Sequence, residues 1–317
     1  MILQSQISEA IKNYGLCYAE VKQVIDGANS FVAKVHVNQK SFAIKVYKGD
    51  IERRIRSLSH EVEALKILNV DSRILAPKLI EYTTNPHSIL YEWVPGGQIS
   101  DLCAAKEQIR KSLKILNELY LENKTSLRAV DAVITIGDLT NQLMVRNAQL
   151  CKITNIPKGL LKILQLLNTR VNEILNSYCF ESEYTLSFSD LGPHNLIQSS
   201  TGNCYFIDFE FFGVDSYAKL FSDLISHPRG VFDSIEILTI IRELKISERF
   251  IHSGFLGAIA LKWAYISLRR CIDSNENKFL GFNAKYENPY SYLEYCEYLL
   301  NLKTEEQFKT YLEFKSM

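Results

Sequence analysis

The chain has 317 residues, 47% of them apolar and 23% charged, a composition long and apolar enough for a sizeable core and unlike that of a disordered protein. Lys plus Arg and Asp plus Glu each number 36, so the formal net charge is zero; no basic field argues for nucleic acid and no acidic tail for a basic partner. The seven cysteines are odd in number and none form a C-x-x-C pair, which argues against a disulfide framework or metal cluster and for reduced thiols in the cytoplasm.

The first residues, MILQSQISEAIKNYG, have neither a basic head nor a continuous apolar core, so they do not read as a signal peptide. Ile7 to Tyr14 reads as a short leading helix. From Val21, VKQVIDGANSFVAKVHV reads as two strands joined by a turn at Asp26–Asn29, with Phe31, Ala33, Val35 and Val37 on one face. Asn38 and Gln39 form a second turn, and Ser41 to Tyr47 a third strand. Its period of two puts Ala43, Lys45 and Tyr47 on one face and Phe42, Ile44 and Val46 on the other; if that lysine were only a surface residue, its face would meet water. Ile51 to Leu68 is amphipathic, with Ile55, Leu58, Val62, Leu65 and Leu68 on one stripe. Pro77 to Tyr82 and Ser88 to Trp93 are further strands, the second running out into Pro95-Gly96-Gly97.

The rest is mostly helical by pattern: Ser100 to Leu121, then Val130 to Leu150 entered after Asp131, then Gly159 to Tyr178 with Pro157 near its first turn. From Val231 onward the chain reads as almost entirely helical, including Gly254 to Arg270 and a tyrosine-rich Asn288 to Leu302. The most apolar of these runs, Phe255 to Leu268, is interrupted by Lys262 and is too short to span a bilayer. The scattered histidines include no H-x-x-x-H pair, so no zinc site is expected.

The chemically informative stretch is Ser187 to Phe212, SFSDLGPHNLIQSSTGNCYFIDFEFF. Asp190 lies five residues before Asn195, and Asp208 follows thirteen residues later after a short hairpin and an apolar strand. D-x-x-x-x-N followed at that distance by I-D-F-E resembles the catalytic and metal loops of kinases. More closely, it resembles the aminoglycoside phosphotransferase and choline kinase group of small-molecule kinases, in which H-G-D-x-x-x-x-N precedes I-D-F/W-E/D. Phe188 stands where that group usually has its histidine.

The resemblance implies a bilobal, protein-kinase-like α+β fold. A small antiparallel sheet lobe with one main helix would span residues 1–94, and a larger, mostly helical lobe residues 95–317, with a hinge near 92–97. It implies ATP and Mg²⁺ as cofactors and a hydroxyl of a small molecule as phosphate acceptor: an aminoglycoside, a choline- or ethanolamine-like amino-alcohol or a sugar. In that scheme Asp190 orients or deprotonates the hydroxyl. Asn195 and Asp208 supply hard oxygen ligands for the metal. Gly27 and Asn29 belong to a loop that approaches phosphate oxygens. Lys45, in A-I-K-V, meets the phosphates and is held by Glu61, while Glu63 two residues on faces elsewhere. Backbone groups of Glu92, Trp93 and Val94 meet the adenine edge. Glu210 either assists the metal or is structural, Asp223 reads as structural, and His194 reads as a loop residue rather than a general base. Aromatic residues of the C-terminal helices either cage a cationic substrate or simply pack helices together. Two other readings differ in class. One is a nucleotide-binding scaffold, suggested only by Phe188; the other is a protein kinase, opposed by the lack of an A-P-E segment and by the shortness of the Phe212–Pro228 stretch.

Overall fold

Runs of alternating apolar residues separated by tight turns become one antiparallel sheet in the computed structural model, which describes residues 2–16, 18–123, 125–153, 156, 158–177, 180, 183–227, 230–248, 252–274 and 289–302. After the leading helix α1 (Ile2–Asn13), which starts earlier than the pattern predicts, come β1 (Glu20–Asp26), β2 (Ser30–Val37), β3 (Lys40–Tyr47), α2 (Ile51–Val70), β4 (Leu79–Thr84) and β5 (His87–Glu92). The five strands lie in the order β1-β2-β3-β5-β4. Asn38 and Gln39 close the β2–β3 hairpin with φ of 48° and 65°, the left-handed pair whose twist matches antiparallel strands. One face of the sheet buries Ala33, Val35, Ile44, Val46 and Leu90 against Ile7 and Ala10 of α1 and Tyr14 just after it. The opposite face of β3 carries Ala43, Lys45 and Tyr47, and it too is buried. The surface-lysine alternative is thereby removed.

Asp50 caps α2, its side chain accepting the Arg53 amide at 2.8 Å. The helix buries Leu58, Val62, Leu65 and Leu68 as the pattern predicts; Ile55 of the same stripe is exposed.

The chain continues through β6 (Gly97–Gln98), α3 (Leu102–Asn123), α4 (Ile136–Cys151), α5 (Lys158–Ser177), β7 (Tyr184–Ser187), β8 (Leu196–Gln198), β9 (Cys204–Phe206) and β10 (Gly213–Ser216). It ends with α6 (Tyr217–Ser226), α7 (Ser234–Glu243), α8 (Ser253–Ser274) and α9 (Pro289–Asn301). Contacts divide it into two compact units: residues 1–130 with 188–213, and residues 131–187 with 214–317. In the first unit, β6, β8 and β9 form a small antiparallel sheet. Gly96 permits this approach: its φ is +149°, and a Cβ there would collide with the Gln198 carbonyl. In the second unit α8 is central, packed against α4, α5, α6 and α9. Its buried Phe255, Leu256, Ile259, Leu261, Ala264 and Leu268 surround the axis, as expected of a helix enclosed by others.

A second helix boundary also departs from the sequence reading. The helix expected over Val130–Leu150 begins only at Ile136, because Thr135 and Asp138 form a capping box in which each side chain meets the other residue's amide. The preceding turn is held open by Asp215, whose carboxylate accepts the Val133 amide at 2.9 Å. The expected placements of Pro157, Tyr178, Pro228 and Asn288 lie outside the described residues. The α+β class is as expected: an antiparallel sheet with one main helix, and a mostly helical remainder.

Candidate active site

Lys45 sits on the middle strand of the sheet, between Val32 of β2 and Ile89 of β5, so its ammonium can leave the sheet on one face only. There it lies 2.5 Å from Glu61 Oε2, on the α2 face toward the sheet, and 2.5 Å from Asp208 Oδ1. Lys45 and Glu61 are each 2% exposed. Burial alone would push the ammonium down, but the carboxylates of Asp208, Glu61 and Glu210 outweigh it and hold Lys45 well above its ordinary value. Burial pushes the Glu61 carboxyl up and Lys45 opposes it. Since Tyr47 also donates to the same oxygen at 2.7 Å, two donors meet one carboxylate, the arrangement a buried ion pair requires. Tyr47, one turn of the pleat from Lys45, was not singled out from the sequence, although its place on the Lys45 face was the available signal. Glu63 faces elsewhere, toward Thr125.

The segment 188–212 is organised by aromatic packing and backbone bonds. Phe188, at the position of the usual histidine, is 3% exposed and meets the rings of Phe206, Phe209 and Phe212 at centroid distances of 5.3, 5.1 and 6.1 Å. Its apolar ring thus occupies an apolar site. Ser189 and Asp208 have left-handed φ of 60° and 66°, conformations costly for residues with a Cβ and typical of functional turns. The Asn195 side chain donates its amide to the Asp190 carbonyl at 3.0 Å, which turns its oxygen the other way. The Ile207 amide donates to the Asn195 carbonyl at 3.0 Å, fixing Asn195 against the residue before Asp208. His194 Nε2 lies 3.0 Å from Asp190 Oδ1. His60 of α2 bonds the Phe212 carbonyl at 2.5 Å, a link between that helix and the D-F-E loop with no sequence signature.

Asn29, in the β1–β2 turn, donates to Glu210 Oε1 at 2.5 Å and accepts from Arg53. Gly27 does not join this group: its amide donates to the Ser30 carbonyl at 3.0 Å, and its carbonyl accepts from Lys48. The Glu92 and Trp93 amides are committed to the Lys78 and Ser41 carbonyls at 3.0 and 3.2 Å, and Val94 follows, buried.

The oxygen donors suit a divalent ion shared with phosphates. The Asn195 N–H is spent on the Asp190 carbonyl, which leaves its amide oxygen on the other side of the group, and the Asp208 side chain is 39% exposed. Glu210 Oε2 is buried with no hydrogen-bond donor among the described residues. Among those residues no group of three or more His, Cys, Asp and Glu could hold a metal by itself; a Mg²⁺ site completed by phosphate oxygens needs only one or two carboxylates.

In the second unit Asp215 and Asp223 are buried with Lys219 and Lys262. Asp223 meets Lys262 at 2.6 Å, Lys219 at 3.0 Å and the Trp263 indole at 2.9 Å. Its carboxylate is thus engaged on both oxygens within the unit. Among the described residues no helix is long and apolar enough to cross a membrane.

No protein-family model matches the sequence, and no curated protein matches it. Solved structures do. The choline kinase LicA from Streptococcus pneumoniae matches with TM-score 0.59 at 15% identity, over 95% of this chain and 99% of that one. The aminoglycoside phosphotransferase APH(4)-Ia matches with TM-score 0.60 at 12% identity, over 95% and 99%. APH(2″)-IIa, in complex with gentamicin, matches with TM-score 0.61 at 16% identity, over 95% and 98%. LicA is also known with AMP, and a variant of APH(4)-Ia with AMP-PNP and hygromycin B. The chain therefore has the fold of the choline kinases and aminoglycoside phosphotransferases that its catalytic-loop motif resembles.

Proposed function

We propose that the protein is an ATP- and Mg²⁺-dependent phosphotransferase that moves the γ-phosphate to a hydroxyl of a small molecule. The observation that carries this reading is the Lys45 ammonium held between Glu61 of α2 and Asp208 of the D-F-E loop, beside a loop in which Asn195 is braced for ligation. The small-molecule kinases that share the fold support it. Lys45 neutralises the nucleotide phosphates, with Asn29 beside them on the β1–β2 turn. The Val94 amide and the Glu92 carbonyl meet the adenine edge at a hinge near residues 92–97, between lobes of residues 1–94 and 95–317. Asn195 and Asp208, with Glu210, hold Mg²⁺, which when bound offsets phosphate charge. Asp190 accepts the proton of the acceptor hydroxyl; that oxygen attacks the γ-phosphorus in line as the bond to the bridging oxygen breaks and ADP leaves. Free cysteines at 103, 151, 204 and 296 fit a reducing, cytoplasmic setting.

The test is an ATP-consumption screen over aminoglycosides, choline, ethanolamine, other amino-alcohols and sugars. Asp190→Ala is expected to lower kcat by roughly 10²–10⁴ while Mg·ATP binding by calorimetry is kept; unchanged turnover would remove Asp190 from its role. Binding of Mg·ATP without consumption on any acceptor would replace the enzyme by a nucleotide-binding scaffold, and phosphate transfer to protein alone would make it a protein kinase.

A further inference from the structure

We propose that His60 is a positioning residue for the D-F-E loop: its ring donates Nδ1–H to the Phe212 carbonyl and, together with the adjacent Glu61, makes α2 the element that sets where Asp208 stands. The proposal rests on the phosphotransferase reading only for the metal that Asp208 would hold; the contact itself is independent of that reading.

Three observations converge. First, His60 Nδ1 lies 2.5 Å from the Phe212 carbonyl oxygen, and the residue is 6% exposed. A carbonyl only accepts hydrogen bonds, so Nδ1 is the ring nitrogen that carries the proton. Second, His60 and Glu61 are consecutive on α2, and consecutive helical residues point about 100° apart at 3.6 residues per turn. Glu61 meets Lys45 at 2.5 Å and Lys45 meets Asp208 at 2.5 Å, while His60 reaches Phe212. The helix thus holds both ends of the 208–212 segment, one through Lys45 and the other directly. Third, that segment is a tight turn with a packed exit. The Phe212 amide donates to the Phe209 carbonyl at 3.0 Å, and the Val130 amide to the Phe211 carbonyl at 3.2 Å. At the next residue, Gly213, φ is +154° and a Cβ would collide with the Arg128 and Ala129 backbone. The exit is therefore packed on residues 128–130, and His60 ties it to α2. At the entrance, Asp208 has its left-handed φ of 66°, a conformation that persists in a residue with a Cβ when its surroundings impose it. Without the His60 bond the turn keeps its Lys45 contact but loses its direct tie to α2, and the Asp208 carboxylate is held less narrowly. A metal ligand whose support is loosened binds its ion more weakly, whereas contacts to the nucleotide that do not pass through the metal are kept.

The experiment has two arms. In the first, the ¹⁵N-labelled protein without nucleotide is observed by NMR at about pH 8, above the ordinary range of histidine titration. The chain has six histidines, and the His60 ring is assigned by its disappearance in His60→Asn. The proposal expects a neutral ring with its proton on Nδ1, since the hydrogen bond selects the tautomer; a proton on Nε2 instead overturns it. The amide resonances of Asp208 to Phe212 are expected to move in His60→Leu and to return toward wild type in His60→Asn, whose amide nitrogen takes the place of Nδ1. Unmoved resonances in His60→Leu overturn the proposal, and if that variant does not fold, the ring proton of the wild type decides. This arm needs neither metal nor turnover, so it stands even if the phosphotransferase reading fails. In the second arm, ATP binding is measured by calorimetry with and without Mg²⁺. His60→Leu is expected to weaken Mg·ATP binding about 10-fold and to leave metal-free ATP binding within about twofold; His60→Asn is expected to restore most of the lost affinity. Equal weakening in the Leu and Asn variants, equal weakening with and without Mg²⁺, or wild-type binding in both variants overturns the proposal. A wild-type protein that binds ATP no better with Mg²⁺ than without it overturns the metal part of the phosphotransferase reading instead, and the first arm still decides the contact.

Discussion

At the scale of single residues, the site is a set of buried charges that must be satisfied together. Lys45 could not remain charged at 2% exposure without the carboxylates around it, and Glu61 could not remain ionised without Lys45 and Tyr47. Tyr47 therefore matters beyond its bulk: burial pushes its phenol well above the ordinary value, so it stays protonated and keeps donating to Glu61. Tyr47→Phe keeps the ring and deletes that donor; it is expected to lower stability by about 1.5–3 kcal/mol, the range for a hydrogen bond to a charged group, read from urea unfolding. A change within experimental error would mean that Glu61 finds its second donor elsewhere. Asp190, Asn195 and Asp208 were legible from residue type and spacing; Lys45 and Glu61 followed from the family resemblance, and their pairing needed the fold. Tyr47 and His60 were not legible, because a tyrosine or histidine that bonds across the fold has no local pattern. Phe188 was legible only as a departure from a motif. Its physical meaning, a ring among three other rings, needed the positions of Phe206, Phe209 and Phe212.

At the scale of elements, periodicity did well where packing agreed with it and failed where a cap intervened. The strands and the helices α2, α3 and α5 fall close to their predicted ranges, since each buries the stripe or face that its pattern offers. The exception is the start of α4. The apolar run from Val130 carries helical spacing, yet Thr135 and Asp138 bond each other's backbone amides and begin the helix later. The T-x-x-D signature of a capping box was present in the sequence and marks the true start. Thr135→Ala is expected to cost about 1 kcal/mol, measured as a shift in denaturation midpoint. Thr135→Ser, which keeps the capping oxygen, is expected to lose less; if both lost the same, the cap would not be the cause.

At the scale of the whole molecule, buried ion pairs in the second unit tie stability to pH. Burial tends to raise the Asp223 carboxyl, but Lys262 and Lys219 outweigh it and lower it from the ordinary 3.8 to about 2. A carboxyl depressed by folding contributes stability that is fully present above its unfolded value and disappears as pH falls through its folded value. The contribution of Asp223 should therefore be complete above about pH 4 and decline toward pH 2. Urea midpoints of wild type and Asp223→Asn are expected to converge over that window, with the variant less stable at neutral pH because the buried Lys262 then loses the carboxylate it meets while Lys219 keeps only Asp215; parallel curves would show that Asp223 is not depressed. The sequence by itself determined the α+β class, the order of strands and helices and the position of the D-x-x-x-x-N…D-F-E motif, because alternation, amphipathic stripes and motif spacing are local. Only the tertiary structure decided which glutamate meets Lys45, that Asn29 reaches Glu210, that Gly27 bonds Ser30 and Lys48 and that His194 stands beside Asp190. Such pairings depend on the directions in which separate elements leave the backbone, and residue spacing along a chain does not encode those directions.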